Sequence, residues 1–372
     1  MSTPALLYPS RRHRAQGGFS LIEVLIGLLI AMIGVVIMME VLITSEARTR
    51  TTSSGNDAMS GGAVMMHLLQ RDLLQAGYGI NAPKLLGCTL TLPAAGAVPA
   101  RTVPIAPVTI YPAGSTSTVV APQTVAAEKN TTDRLLVMYS SDSGQPEGNM
   151  IVAPPAGDVY SMQSTLSFNK GDWVVATTDI CNTALILTQI ADKSDTTVTV
   201  TSGTGLLGAT TLFNLGPAPK VVAYAIRNGA LTSCDYMTAD CTSASAANWT
   251  SVGGNIISLR AQYGRDTDGG AVMVADTWDQ TTPADTCGWQ RVTAVRYALV
   301  SKSTQYETAL DASGQRTCEA VTASQAPAWS GGAGAAIDLS RGGTVSDWAC
   351  YRYRTFENIA PSRNLVWTGG CP

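Results

Sequence analysis

The stretch that decides the fold is GGFSLIEVLIGLLIAMIG, which runs from Gly17 to Gly34. It opens a run of nineteen residues, 21–39, in which every residue except Glu23 is apolar or glycine. A carboxylate in a segment apolar enough to cross a membrane costs several kcal/mol unless a partner neutralises it. Any function assigned to this segment must therefore explain why it contains the Glu23 carboxylate.

Three interpretations of the segment differ in how they treat Glu23. A cleaved secretory signal would need a shorter apolar core; Ser45–Ala47 offers a small-residue site, but the run is too long and contains the acid. A plain membrane anchor would avoid Glu23 or bury it against a partner. In the third interpretation the chain is cut after Gly18, so that Phe19 carries a free amine one helical turn from Glu23. That amine can pair with Glu23 of its own or a neighbouring subunit, because opposite charges attract far more strongly in lipid than in water.

The same residues resemble a known family. GGFSLIEVLIGLLI resembles the type III signal of type IV prepilins, in which a basic leader is followed by Gly, Phe and a Glu at the fifth mature position. The resemblance implies that a prepilin peptidase at the inner membrane cuts after Gly18 and methylates Phe19. It also implies that Glu23 helps each subunit to dock into a growing filament.

Three further stretches resemble parts of PilW-type minor pilins. LLQRDLLQAGYGI (68–80) resembles the end of their long helix, and VTAVRYALVSKS (292–303) and YRYRTFENIAPSRNLVW (351–367) resemble their C-terminal strands and ending. Residues from about 85 to 285 show no such resemblance. The chain is large for a repeating filament subunit, which favours a rare subunit near the tip.

Composition separates the N-terminal part into a leader (1–18), an apolar transmembrane and assembly helix (19–43) and an amphipathic second half of that helix (44–76). The leader carries three arginines, a topology signal that keeps it on the cytoplasmic side. In the amphipathic half, apolar residues three or four apart predict one buried stripe: Met59, Ala63, Met66, Leu69 and Leu73. The glycines and proline of AGYGINAP end the helix.

Residues 77–372 predict a β-rich domain, so the fold class is α+β: a long N-terminal helix packed on a β-rich, disulfide-stapled domain. Six stretches predict strands, at 134–140, 171–178, 196–203, 220–229, 257–264 and 292–303. Asn228-Gly229 predicts the turn of a β-hairpin. Segments rich in small and polar residues predict loop insertions near 111–133 and 326–343.

All eight cysteines follow the apolar run, and an even number in an exported domain predicts disulfides in an oxidising compartment. Eight cysteines allow 105 pairings, and only Cys234 with Cys241, which would close a short loop, is singled out by spacing. The disulfide candidates are Cys88, Cys181, Cys234, Cys241, Cys287, Cys318, Cys350 and Cys371.

Charge and residue inventory exclude several functions. The net charge is −3 and charged residues make up 14% of the chain, so no basic surface for nucleic acid is expected. Of the two histidines, His13 leaves with the leader and His67 lies in the predicted helix. No G-x-S-x-G motif or phosphate-binding glycine loop is present, so we expect no enzymatic activity and no catalytic residues.

One acidic stretch offers carboxylate oxygens that could bind a metal. Asp266, Asp268 and Asp276 in YGRDTDGGAVMVADTW are weak candidate Ca²⁺ ligands. The stretch lacks a third closely spaced acid at Gly270 and the bidentate glutamate of a calcium loop. We expect a polar turn between two strands and no bound metal or other cofactor, with Ca²⁺ as the alternative.

Together with the apolar helix, the resemblance implies a structural minor pilin that takes part in initiating type IV pilus assembly and in the pilus tip complex, and thereby supports adhesion and twitching motility. The resemblance implies as partners other minor pilins, the major pilin, prepilin peptidase and the inner-membrane assembly platform, with a tip adhesin as a further candidate. The protein would lie in the inner membrane with a periplasmic domain before assembly, and on the pilus afterwards. A pseudopilin of a type II secretion system, or an adhesin or hydrolase delivered on a pilin stem, remain alternatives.

Overall fold

The computed structural model describes residues 18–94, 98–122, 131–141, 145, 147–178, 180–181, 183–268, 274–318, 326–340 and 347–365. The chain divides into two compact units, Met1–Ser53 and Ser54–Pro372. The domain boundaries predicted after residues 18, 43 and 76 stay predictions.

The regular elements are two α-helices and a long series of mostly short strands. The helices are α1 (Leu21–Gln75) and α2 (Thr286–Gln290). The strands are β1 (Thr89–Leu92), β2 (Arg101–Pro104), β3 (Val108–Tyr111), β4 (Arg134–Tyr139), β5 (Asn149–Ala156), β6 (Val159–Met162), β7 (Trp173–Thr177), β8 (Leu185–Lys193), β9 (Thr197–Val200), β10 (Thr211–Gly216), β11 (Lys220–Arg227), β12 (Ala230–Asp235), β13 (Thr250–Gly254), β14 (Ile256–Arg265), β15 (Thr277–Asp279), β16 (Val292–Lys302), β17 (Ala309–Leu310), β18 (Arg316–Thr317) and β19 (Tyr353–Pro361). Five of the six stretches predicted as strands contain one of them, the sixth (257–264) lies within β14, and the α+β fold class is confirmed.

In the first unit, α1 is apolar and exposed. Residues Leu21–Glu46 have a mean hydropathy of 2.9, and none of the most apolar window is buried within the protein. A helix of this length and composition is long enough to cross a bilayer. The length and exposed apolar surface of this segment fit a membrane anchor.

In the second unit, the last turns of α1 pack on the β-structure along a stripe that differs from the predicted one. Met66, Leu69 and Leu73 are buried as predicted, but Met59 is 50% exposed and Ala63 is also exposed. The buried stripe instead continues toward the N-terminus of α1 through Met65, Gly62 and Ala58. The prediction was wrong at Met59 and Ala63 because it counted only apolar side chains, whereas the helix packs closely on the sheet at Gly62, which has no side chain.

Gly62 lies directly against the Phe356 ring of β19. A Cβ atom at Gly62 would lie 2.0 Å from Phe356 Cε2, whereas one at the neighbouring Gly61 would meet nothing within 4 Å. Only glycine therefore fits at residue 62 without moving an aromatic ring, and either substitution to alanine gains the same helix propensity.

We expect Gly61→Ala to raise the free energy of unfolding by about 1 kcal/mol through helix propensity. Gly62→Ala should be less stable than Gly61→Ala by about 1–3 kcal/mol, the usual cost of overpacking a filled site. Denaturant unfolding of the two full-length variants measures the difference. Equal stabilities would show that the α1–β19 contact is not close-packed.

Two antiparallel sheets pack against the C-terminal part of α1. The first has the order β13-β12-β11-β4-β3 and the second the order β15-β14-β16-β19. Their inner faces and the α1 stripe share one core, which includes Leu69, Tyr224, Leu259, Tyr297 and Leu299. The predicted hairpin is confirmed: β11 and β12 pair Arg227 with Ala230, and Asn228 and Gly229 have φ of 50° and 69°. Both positive φ values are those of a type I′ turn.

A closed barrel is inserted between β4 and β11. These two strands pair directly, with Tyr139 opposite Lys220. The chain therefore leaves the sheet after Tyr139 and returns to the same place at Lys220, with residues 140–219 between. Within the insertion the strands pair in the ring β8-β7-β10-β5-β6-β9, and β9 pairs back to β8. β1 and β2 extend the ring from β8. The barrel has its own apolar interior, with Tyr160, Phe168 and Leu212 among its residues.

Disulfides connect these parts. Cys234 pairs with Cys241, as predicted from their spacing. Cys88 pairs with Cys181 across 93 residues, and Cys318 with Cys350 across 32. Cys287 is also disulfide-bonded, and no described cysteine is a free thiol. Cys371 lies outside the described residues.

The two predicted loop insertions are described in part. Residues 112–122 and 131–133 connect β3 to β4 without a helix or strand. Residues 326–340 contain one short 3-10 turn at Ser330–Gly332 and an isolated bridge between Ala328 and Ala336. The remaining residues of both segments lie outside the described ranges.

Candidate assembly site

The N-terminus of α1 is built around Glu23. Gly18, Phe19 and Ser20 precede the helix and are exposed, with Phe19 86% exposed. The backbone N–H of Val24 donates to the carbonyl oxygen of Ser20 at 3.2 Å, which closes the first turn. Gly18 and Phe19 therefore lie in accessible, non-helical chain, as a peptidase substrate requires.

Glu23 is the third helical residue and closes one half of a capping box. Its Oε2 accepts a hydrogen bond from the backbone N–H of Ser20 at 3.2 Å. Such a contact satisfies one of the N–H groups that a helix N-terminus leaves free, and the helix dipole favours the negative charge there. The bond directs the carboxylate back toward residues 19–20, where a cut after Gly18 would create an amine.

A second arrangement joins the end of α1 to the sheet through Asp72. The hydroxyl of Tyr224, on β11, donates a short hydrogen bond to Asp72 Oδ2, and Arg71 Nε lies 3.2 Å from Asp72 Oδ1. Asp72 and Tyr224 are both buried. Burial and the adjacent Asp72 carboxylate raise the pKa of Tyr224 well above its usual value, so the phenol stays protonated and remains the donor. This pair holds the helix on the sheet in one rotational position.

The C-terminal end of α1 is capped from the far end of the chain. Asn364 Nδ2 donates to the carbonyl oxygens of Ala76 at 2.9 Å and Gln75 at 3.2 Å. The last carbonyls of a helix have no partner within the helix, so this side chain satisfies groups that would otherwise need water. Gly77, with φ of 83°, then turns the chain and donates to the carbonyl of Met138. The stretches 68–80 and 351–367 thus meet at one point.

The three candidate calcium ligands lie together. One carboxylate oxygen from each of Asp266, Asp268 and Asp276 lies within 4.8 Å of the others; Asp266 is buried and the other two are exposed. Both oxygens of Asp276 already accept hydrogen bonds, from Thr267 N and Oγ1 at 2.8 Å and from Asp268 N at 3.1 Å. These bonds, with those from Thr267 the largest cause, lower the pKa of Asp276. Residues 269–273 of the same turn lie outside the described ranges.

We predict that calcium has little effect on this loop. Ca²⁺ takes six to eight oxygen ligands, whereas this group offers three carboxylates, one of them already hydrogen-bonded through both oxygens. Millimolar CaCl₂ should therefore shift the melting temperature of the full-length protein by less than about 2 °C. A rise of many degrees that Asp268→Ala abolishes would contradict this prediction.

Comparison with known families matches both ends of the chain. Residues 13–39 match the model described as Prokaryotic N-terminal methylation motif, and residues 223–364 match the model described as Type IV Pilus-assembly protein W. No curated protein and no solved structure matches the chain. The first match contains Gly18, Phe19 and Glu23; the second begins within β11, after the inserted barrel, and ends at Asn364. With a prepilin-type signal at one end and this family's domain at the other, the chain matches a PilW-type type IV pilin.

Proposed function

We propose that this protein is a minor pilin that helps to initiate type IV pilus assembly and stays in the complex at the pilus tip, where it supports adhesion and twitching motility. The observation that carries the proposal is the apolar run 21–39 of α1, whose side chains are exposed and which contains a single acid, Glu23, at the third helical position. Among the described residues, none covers the side chains of this run. A bundle of similar helices, first in lipid and then in a filament, supplies such a cover.

In this proposal, prepilin peptidase cuts after Gly18 and methylates the new N-terminal Phe19. The Phe19 amine and Glu23 carboxylate then form an ion pair between neighbouring subunits, with 24–43 as the apolar seam between helices. Pairing the two charges removes the cost of leaving each alone in a low-dielectric medium, so docking is favoured over the isolated subunit.

The proposed orientation places the domain on the periplasmic side before assembly. Arg11, Arg12 and Arg14 precede the apolar run and would remain cytoplasmic by the positive-inside rule. The disulfides of the second unit suit an oxidising compartment. Other minor pilins, the major pilin and the assembly platform are the proposed partners, and the protein acts by assembly, without catalysing a reaction.

The inserted barrel favours a position at the tip. Residues 140–219 add a closed β-structure to the pilin domain, and they lie between the segments matched by the two family models. A subunit that repeats along a filament has to pack such an insertion at every step, whereas a subunit at the tip does not.

Deletion of the gene tests the role. We expect few or no surface pili and loss of twitching, restored by the intact gene, with the protein co-purifying from membranes with other pilins. Type II secretion should be unaffected. Normal pili together with loss of secreted enzymes would instead identify a pseudopilin, and normal pili with loss of surface binding alone would identify an adhesin on a pilin stem.

A further inference from the structure

A polar cleft of about 620 Å³ lies beside the end of α1, wholly within the second unit. One wall comes from the last turns of α1, with Leu68 and Arg71, and the floor comes from β11 and β12. The opposite wall is the loop closed by the Cys234–Cys241 disulfide. A volume of this size suits a small ligand or a few side chains of a larger one, and the disulfide keeps the wall in place before binding.

The cleft holds two cations and two carboxylates, and every carboxylate oxygen accepts a hydrogen bond from the protein. Asp72 accepts from Arg71 Nε on one oxygen and from the Tyr224 hydroxyl on the other. Asp235 accepts from Lys220 Nζ at 3.0 Å on Oδ2 and from the backbone N–H of Met237 at 2.9 Å on Oδ1. All four carboxylate oxygens therefore have donors from the protein itself.

The two cations make fewer hydrogen bonds than they have N–H donors. Arg71 gives its Nε to Asp72, and its two terminal amino groups have no acceptor among the described residues. Lys220 gives one of its three N–H groups to Asp235. The side chains of Arg71 and Lys220 are 63% and 44% exposed, so their remaining donors face the solvent in the cleft. The cleft thus has an excess of charged donors and lacks a matching acceptor.

We propose that this cleft binds a carboxylate presented by an acidic segment of a partner protein. The planar fork of an arginine and a nearby ammonium match the two oxygens of a carboxylate. A polypeptide is favoured over a sugar acid because β13, the edge strand of its sheet, lines the cleft with Thr250 and Val252. An extended chain can pair with such an edge while its side chains enter the cleft. The choice of a partner protein rests on the proposed function, in which other pilins surround this one.

The test measures binding of a labelled peptide, acetyl-Gly-Glu-Gly-Glu-Gly-Glu, to the full-length protein in detergent by fluorescence polarisation. We expect saturable binding that weakens with salt and is absent for the same peptide with Gln in place of Glu. Arg71→Gln with Lys220→Gln should weaken binding at least tenfold. The matched control, Lys170→Gln with Arg354→Gln, removes two exposed cations that do not line the cleft and should leave binding within twofold of the wild type.

A gain-of-binding variant separates recognition from folding. Asp235→Asn removes the carboxylate that shares Lys220 but keeps an oxygen for the N–H of Met237, so binding should tighten several-fold. A misfolded variant would not bind more tightly. The proposal is overturned if the wild type shows no saturable binding, if the control variant loses as much as the cleft variant, or if trigalacturonate binds and the peptide does not. Because the assay needs no pilus, its failure leaves the proposed role in assembly intact.

Discussion

Cells whose only copy carries Glu23→Ala will hold normal amounts of processed protein in the inner membrane and will show few or no surface pili. The substitution removes a charge from the apolar run, so insertion is kept, and the Gly18–Phe19 junction is unchanged. Docking fails because the neighbour's Phe19 amine would enter lipid without a partner. Losing one member of a buried ion pair costs about 3–5 kcal/mol, or more than a hundredfold in the docking equilibrium. Immunoblots of membranes and electron microscopy of pili measure the two outcomes.

The same helix offers a control carboxylate outside the proposed docking seam. Glu46 is an exposed carboxylate on the same helix, beyond the 24–43 seam, and Glu46→Ala should leave piliation unchanged. Glu23→Asp should be intermediate, because it keeps the charge but shortens the reach by one methylene. Normal piliation with Glu23→Ala would refute the ion-pair mechanism for this subunit. Such a result would place the subunit at the extreme tip, where no subunit ahead of it supplies an amine for Glu23.

The second large effect concerns the bridge between Cys88 and Cys181. A disulfide stabilises mainly by restricting the unfolded chain, and the effect grows with the length of the closed loop. With its cysteines 93 positions apart, this bridge should contribute about 4–5 kcal/mol, against about 2 kcal/mol for Cys234–Cys241, whose cysteines are 7 positions apart. Paired Cys→Ser substitutions, compared by denaturant unfolding of the oxidised protein, measure both.

The comparison between the two pairs is the control, because each variant removes two sulfur atoms and one bond. We expect the Cys88→Ser, Cys181→Ser variant to be the less stable by about 2 kcal/mol. It should also loosen the barrel preferentially, since Cys181 lies between β7 and β8. Equal losses for the two pairs, or free thiols in the exported wild type, would contradict this account of the framework.

Short sequence patterns predicted α1 and the β11–β12 hairpin, because both depend on residues that are close together in the chain. The α1 bounds differ from the expected 19–76 by two residues at the start and one at the end, because an apolar run, a capping residue and a terminal glycine are all readable along the chain. The hairpin at Asn228-Gly229 was predictable for the same reason. The stripe on α1 was placed wrongly at Met59 and Ala63, because apolarity alone does not reveal a glycine that makes room for Phe356.

Long-range closure could not be predicted. The barrel depends on β9 returning to β8, and no residue pattern in those strands marks a ring rather than an open sheet. Tyr224 and Asn364 were not predicted as partners of α1, because their contacts span 152 and 288 residues. The motif around Asp72 was recognised by resemblance, and its physical role became visible only from the buried hydrogen bond to Tyr224.

Glu23 was predictable because a lone acid in an apolar run is a local anomaly with few explanations. Its hydrogen bond to the N–H of Ser20 adds what the sequence could not: the carboxylate is already directed to the end where the amine would form. The proposed docking by this carboxylate requires a cut after Gly18, which creates the amine at Phe19.

The position of that cut is the most direct test of the account. Intact-mass analysis of the protein purified from cell membranes, with sequencing of its N-terminal peptide, identifies the first residue. We predict a chain that begins at Phe19 and carries one methyl group on its amine. A chain that still begins at Met1, or one that begins near Arg48, would contradict the assignment of Phe19 and Glu23 as the docking pair.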